Sequence, residues 1–307
     1  VSWDPLALPH AVGRTIAVTG ANAGIGYFAS EQFARAGAHV ILACRDPERA
    51  EAAISAIRRR VPGASVEAVP IDVADRASVA RAAASLVERE RVDVLMLNAG
   101  IVHPPRTRST DAYGNELVLS TNVIGHFQLA ALTMPVLERT PGSRVVSLGS
   151  LASLLARFPL TDLQQQDSYN SWNAYARSKI AVQSFGFELD RRLRAAGSGV
   201  SSLVAHPGYS TSGRTPGIAG VNQPSHAKRF IDNLQAAWTQ GKDQGAWSPV
   251  RAALDPEAQG GQFYAPRFVT KGAPVASWAA PVTRSRRVGA RLWNLLEEYS
   301  GQPFDIG

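Results

Sequence analysis

Cysteine is almost absent from this sequence: Cys44 is the one thiol in 307 residues. A lone thiol can close no intramolecular disulfide and build no cysteine-based metal site, and it fits a reducing compartment. Long hydrophobic runs are missing too. The longest nearly apolar stretch, around Phe127 to Leu137, is far short of the roughly 20 residues that span a bilayer. No integral membrane segment is therefore expected. The chain opens without a basic region followed by an apolar block, and Asp4, Pro5 and Pro9 argue against a secretory leader. A cytoplasmic location is the expectation. There is no H-E-x-x-H, no G-x-S-x-G and no paired-cysteine motif, which leaves no metalloprotease or serine-hydrolase reading and no expected metal. No Pro/Gly/Ser-rich linker, repeat or charge block divides the chain, so residues 1–307 read as one domain.

Against those absences stands an excess of positive charge, 32 basic against 25 acidic residues, net +7. The basic residues are almost all arginine and are spread along the chain. Arg284, Arg286, Arg287 and Arg291 form the only late cluster, on an amphipathic helical pattern whose Val288, Leu292, Leu295 and Tyr299 make the apolar stripe. This reads as a solvated face, so no nucleic-acid partner is expected. A basic surface still assists a phosphate-bearing ligand.

Apolar runs at 14–19, 38–43, 65–71, 93–97, 143–149, 200–205 and 261–265 alternate with helical patterns at about 24–36, 47–60, 76–90, 113–138, 173–196 and 225–240. Near-continuous apolar strands separated by helices predict a seven-stranded parallel sheet with helices on both faces, a doubly wound α/β fold. In such sheets ligands sit beyond the strand C-termini. Gly20, Asp72, Asn98, Ser150 and Pro207 all follow strand ends.

Gly20, Gly24 and Gly26 lie between the first strand and the first helix, in Gly20-Ala-Asn-Ala-Gly24-Ile-Gly26. Glycines permit a tight turn and close approach to a pyrophosphate, and the helix N-terminus offers free amides and a positive dipole end. Tyr175 and Lys179 stand four residues apart in a helical stretch, which puts a phenol and an ammonium on one face. A free tyrosine has a pKa of about 10, and a nearby fixed positive charge favours the phenolate. The spacing predicts that Lys179 lowers the Tyr175 pKa.

Together with three further motifs these features resemble the short-chain dehydrogenase/reductase superfamily, most closely its retinol-dehydrogenase-like and protochlorophyllide-reductase-like branch. Thr19 to Gly26 is similar to its cofactor loop, Asn98-Ala99-Gly100 to its N-A-G segment, and Ser120-Thr-Asn122-Val-Ile-Gly-His-Phe to the stretch holding its catalytic asparagine. Ser150, then Tyr175 with Lys179, and His206-Pro207-Gly208 follow in family order. The resemblance implies a Rossmann fold and hydride transfer between a nicotinamide and a carbonyl or alcohol carbon. It implies Asn122, Ser150, Tyr175 and Lys179 as catalytic residues. Tyr175 would be the general acid or base, Ser150 would hydrogen-bond the reacting oxygen, and Lys179 would also hold the nicotinamide ribose. Asn122 would position a water that feeds protons to Lys179. Cofactor contacts would come from Gly20, Asn22, Gly24, Ile25, Gly26, Arg45, Asp72, Val73, Asn98, Ala99, Gly100, Tyr175, Lys179, Pro207, Gly208 and Ser212.

Three positions depart from common family wording. Ala23 replaces a serine, Gly149 the first of a serine pair, and Ser212 a threonine. The carboxylate that selects NAD is replaced by Cys44, followed by Arg45, which suits the 2′-phosphate of NADP. A pairing of Arg45 with Asp46 or Glu48 is the competing reading. For Asp72 the competing reading is a cap for the following helix. Two long segments, about 151–172 and 210–224, are expected to shape an apolar substrate cleft, with Leu154, Leu155 and Phe158 as wall residues. A C-terminal extension follows at about 267–307. The expected partner is thus a small apolar carbonyl or alcohol, and homo-oligomerisation is compatible with the sequence. Two other classes share parts of this pattern. A sugar-nucleotide epimerase or dehydratase uses the same Tyr and Lys logic, but the segment after the sixth strand is short for one. A dinucleotide-sensing scaffold would keep the fold without turnover, and the intact quartet counts against it.

Overall fold

Six apolar runs form β1 (Thr15–Thr19), β2 (His39–Cys44), β3 (Val66–Pro70), β4 (Val94–Leu97), β5 (Arg144–Leu148) and β6 (Ser201–Ala205) in the computed structural model, which describes residues 3–306. Residues 1, 2 and 307 of the expected span lie outside it. A two-residue pair, β7 (Ser210–Thr211) and β8 (Gln240–Gly241), stands apart from the main sheet. The main sheet is completed by β9 (Phe263–Pro266) and β10 (Pro274–Ala276), in the order β10-β9-β6-β5-β4-β1-β2-β3. All seven expected strands are parallel; β10 is an eighth, antiparallel to β9. The turn joining them uses a positive φ at Val269 and Gly272, which reverses the chain without a crossover.

Strand order reverses between β1 and β4, and that opens a crevice at the strand C-termini. The two faces of the sheet are covered separately. Ile16 and Val18 pack with Tyr27, Phe28 and Phe33, while Ala17 between them packs with Leu95, Phe127 and Phe185 on the other face. This is the two-residue alternation of a strand buried on both sides.

The helices on the sheet carry explicit start signals. Helix α1 (Gly24–Arg35) follows the glycine loop, α2 (Pro47–Arg60) is capped by Asp46, and α3 (Arg76–Val87) by Asp75, which accepts from the Ala77 and Ser78 amides. Asp72 is therefore not the cap of that helix. A short α4 (Leu117–Leu119) and a π-helical turn, Ser120–Ile124, lead into α5 (Gly125–Arg139). Gly125 is needed there because a Cβ would overlap the Val73 carbonyl. Helix α6 (Ser171–Ala195) carries Tyr175 and Lys179, and α7 (His226–Leu234) is capped by Ser225. The sequence pattern does not separate α8 (Lys242–Gly245) or α9 (Trp247–Leu254).

The last helices, α10 (Pro281–Arg284) and α11 (Arg286–Ser300), belong to the core. Gly289, Leu292, Trp293, Leu296 and Ser300 are buried, and Arg286, Arg287 and Arg291 are exposed as the charge pattern predicts. Of the expected stripe only Leu292 is fully buried. The Trp293 ring meets Phe127 at 5.1 Å between centroids, edge to face. One segment among the described residues, Leu117–Arg139, is long and apolar enough to cross a bilayer, longer than the stretch visible in the sequence alone. Its most apolar window is 78% buried inside the protein, the signature of a core helix.

Candidate active site

The glycine loop makes a tight turn into an uncapped helix. Gly20 and Gly24 have φ of +65° and +59°, a region other residues avoid, and a Cβ on Gly26 would press on the Gly20 carbonyl. Helix α1 starts at Ala23 with no side-chain cap and no acidic residue in its first turn. Its first amides and positive dipole end are left for an anion. Below the loop Thr19 acts as a junction: its Oγ1 accepts from the Asn98 and Ala99 amides, both at 2.9 Å. Asn98 Nδ2 donates to the Thr19 carbonyl at 2.7 Å.

His126 ties this loop to Asn122. Its Nδ1 lies 3.0 Å from the Asn122 carbonyl and its Nε2 2.9 Å from Thr19 Oγ1. Burial pushes its pKa down to about 4, so the ring is neutral. A carbonyl can only accept, so Nδ1 carries the proton and the Thr19 hydroxyl donates to Nε2. The Asn122 side chain is fully engaged. Oδ1 accepts from the Ile101 amide at 2.7 Å, and Nδ2 donates to the Ile101 carbonyl at 3.2 Å and to Ser178 Oγ at 2.8 Å. Gly100 fits because a Cβ there would stand 2.9 Å from Asn122 Oδ1. Asn122 sits within the π-helical turn, a feature that recurs at functional sites.

The structure brings Ser150, Tyr175 and Lys179 together at the end of β5. The Tyr175 hydroxyl donates to Ser150 Oγ at 3.2 Å, and Lys179 Nζ donates to the Leu148 carbonyl at 2.9 Å. Gln183, one turn beyond Lys179 and flagged by no sequence motif, holds the Ser150 carbonyl at 3.0 Å and Ser153 Oγ at 2.9 Å. It also explains Gly149, where a Cβ would lie 2.7 Å from the Gln183 amide nitrogen. The expected electrostatics are reversed in this structure. Burial raises the Tyr175 pKa, with the Ser150 contact opposing it only in part, and Lys179 is not among the groups acting on it. Burial lowers the Lys179 pKa to about 8. The ammonium leans on a backbone carbonyl instead of the phenol.

The sequence profile of the short chain dehydrogenases matches residues 14–218, from the first strand through the P-G turn. This chain belongs to that family. Human retinol dehydrogenase 13 is 40% identical over 212 residues, covering 68% of this chain and 63% of the relative. Mouse polyprenol dehydrogenase is 33% identical over 298 residues, 95% and 85% of the two chains. Among solved structures, an uncharacterized protein of Mycobacterium paratuberculosis superposes over the whole of both chains with a TM-score of 0.81 at 33% identity. A Beutenbergia cavernae structure with NADP bound at low occupancy, a candidate NAD(P)-dependent gluconate 5-dehydrogenase by its description, gives a TM-score of 0.60 at 28% identity. It covers 80% of this chain and 91% of its own. The chain is accordingly a nicotinamide-dependent oxidoreductase of alcohols and carbonyls.

Elsewhere on the cofactor side of this dehydrogenase, Cys44 is buried beneath the glycine loop. Its sulfur faces the Ala21 and Asn22 amides, and burial pushes its pKa up to about 11. Arg45, next in sequence, is exposed with a nitrogen 3.5 Å from an Asp72 carboxylate oxygen. It pairs with neither Asp46 nor Glu48. Val73 is buried against Gly125, and Ile25 packs at the edge of the core under Gly245. The Pro207 carbonyl accepts from Ser210 Oγ and Gln240 Nε2, and Gly208 has φ +67° against the Thr270 carbonyl. Ser212 is half-buried, its carbonyl held by Asn222. No motif flagged Lys242. Its Nζ ends 4.0 Å from where a Cβ on Gly24 would stand, a cation at the lip of the glycine loop.

A narrow cleft of about 20 Å³ borders Ser150. Leu151, Leu154, His206, Phe263, Val269 and Trp278 are among the residues that line it. The 151–172 segment thus contributes in part. Leu155 instead faces solvent, and Phe158 packs on the core. Among the described residues, none that lines the cleft comes from 210–224. Asn222 ties that segment's own carbonyls together, and its Pro216 borders a separate cavity beside α1. The C-terminal extension brings Val269 and Trp278 to the cleft and α11 to the core.

Proposed function

We propose that the enzyme is an NADP-dependent reductase or dehydrogenase of a small apolar carbonyl or alcohol, with Tyr175 as its general acid or base. The observation that carries this is the Tyr175–Ser150 hydroxyl pair, whose Ser150 borders a cleft lined also by Leu151, Leu154, Phe263, Val269 and Trp278. The dinucleotide, when bound, supplies or accepts the hydride. In reduction Tyr175 gives its proton to the substrate oxygen, and Ser150 Oγ donates to the same oxygen as its charge develops. Gln183 keeps Ser150 in place. Lys179, with its pKa near 8, exchanges protons readily around neutrality and so can restore the tyrosine. With the Asn122 side chain committed to Ile101 and Ser178, its contribution is to hold that corner of the site rigid.

Arg45 supports the choice of NADP. It is an unburied guanidinium at the end of β2 that faces Asp72 and would pair with a 2′-phosphate there. Gly20, Asn22, Gly24, Ile25 and Gly26 would hold the pyrophosphate, with Lys242 as an added cation. Asp72 and Val73 would lie by the adenine, and Asn98, Ala99, Gly100, Pro207, Gly208 and Ser212 would line the rest. Relatives named for retinol and polyprenol, both long apolar alcohols, support the apolar reading. The outer wall of the cleft, Val269 and Trp278, is exposed, so widening it sacrifices little buried area. A homologous series of ketones or aldehydes tests the reading. Each added methylene should raise kcat/KM, by up to roughly fourfold if about 0.8 kcal/mol is gained on burial. A flat or falling series would remove the apolar substrate and leave the oxidoreductase.

A further inference from the structure

Helix α7 is turned inside out. A helix that covers a core faces its apolar stripe inward. Here Phe230 and Leu234 are each 67% exposed and Ile231 is 51% exposed, all on one side. The one buried residue of the helix is Asp232. Polar contacts hold the inward side. Asp232 accepts from the Gly213 amide at 2.7 Å, its other oxygen pairs with Lys228 Nζ at 2.5 Å, and Arg229 donates to the Gly213 and Thr215 carbonyls at 3.4 Å. An ion pair with a buried carboxylate and a half-exposed ammonium therefore helps fix the helix with its greasy side out.

Neighbouring segments extend the same surface. Exposed Trp238 follows α7, and the β9–β10 turn, tipped by exposed Phe268 and Val269, is fastened beside it. Lys271 Nζ donates to the Ala236 carbonyl at 3.1 Å, and the Gly272 amide donates to Gln240 Oε1 at 2.9 Å. Val269 also lines the cleft to Ser150, so the surface ends at the mouth of the site. Its charge has one sign. In residues 224–241 and 266–280 Arg267 and Lys228 are exposed and Arg229 and Lys271 half-buried, and the sole carboxylate, Asp232, is buried and already paired with Lys228.

We propose that α7 and the Phe268–Val269 turn form a docking surface for an anionic lipid bilayer. Aromatic and aliphatic side chains rimmed by lysine and arginine are the combination that settles at the boundary of headgroups and acyl chains. A second copy of the chain would bring like charges face to face, which disfavours pairing. The cleft mouth then opens toward the membrane, a consequence that alone rests on the apolar-substrate reading.

Flotation of the full chain tests the surface, with vesicles of phosphatidylcholine alone and of equimolar phosphatidylcholine and phosphatidylglycerol. Binding should favour the anionic vesicles and weaken with salt. The triple change Phe230→Ser, Ile231→Ser, Leu234→Ser should lower partitioning roughly tenfold or more, with melting temperature and NADPH affinity unchanged. Arg267→Glu, a second and milder variant, should lower it about fivefold. A wild-type protein that ignores both vesicle types, or a triple variant that floats equally well, overturns the proposal. So does a lipid-free dimer, seen by sedimentation velocity, that the triple variant dissolves. Turnover of short soluble ketones reports on the substrate reading separately, because it needs no vesicle.

Discussion

Both side-chain polar atoms of Asn122 are bonded inside the protein, His126 is locked in one tautomer, and Gln183 grips Ser150 from behind. Past Ser150 such bonding thins out: Leu154, Val269 and Trp278 border the cleft and rest partly in solvent. One region fixes atoms to within hydrogen-bond tolerances, and the other offers area without fixed geometry. Proton transfer needs the first property, and accommodating variable apolar bulk needs the second. The difference teaches where sequence change is tolerated: the wall can drift while the bonded region cannot.

The division is broken most severely by Tyr175→Phe. Removing the proton donor should lower kcat by roughly 10²-fold or more, equally for short and long ketones, with NADPH affinity unchanged. A loss that scaled with ketone length would show that the two regions are not separable. Next comes acid. The folded pKa of His126 is near 4, against the ordinary 6.5 of a solvated imidazole. Below pH 6.5 the unfolded chain therefore binds a proton that the folded protein refuses, and stability contributed by neutral burial is lost as pH falls through about 4. The stability advantage of the wild type over His126→Gln should shrink by up to about 3 kcal/mol across that window. Urea unfolding of both proteins between about pH 7 and pH 4 would measure it, and a constant difference would mean that the ring is not buried neutral. The smallest effect sharpens the comparison on the cofactor side. Arg45→Ala should weaken NADP by roughly tenfold and NAD little, in direct titrations of both dinucleotides. Equal weakening of the two would deny the 2′-phosphate contact.

Much of the bonded region is legible in the sequence. Its residues come at strand ends and at i, i+4 on one helix, so Gly20, Asn98, Ser150, Tyr175 and Lys179 can be placed from local pattern alone. Gln183 and Lys242 cannot. Each is an ordinary helical residue until long-range packing brings it to Ser150 or to the glycine loop. The cleft wall fails for a related reason. Leu155 and Val269 are equally apolar in the sequence, and only the path of the chain decides that one meets water and the other the cleft. Helix α7 shows the limit most plainly. The sequence shows a helical pattern at about 225–240, but not that a buried Asp232 turns Phe230, Ile231 and Leu234 outward. The Tyr175 pKa escapes prediction because spacing puts Lys179 on the same face but does not show that its ammonium is drawn to the Leu148 carbonyl.

The antiparallel strand β10 has a consequence for the company this protein keeps with itself. A sheet presents unpaired amides and carbonyls at both margins, an open invitation to further strands. Here one margin is the three-residue β10 beginning at Pro274, and the other is β3, which ends at Pro70 and carries Glu67. Proline donates no hydrogen bond, and a short strand offers little length to a newcomer. A hairpin that walls a cleft on its turn side thus also terminates the ladder, guarding the all-buried β9 against edge-to-edge aggregation.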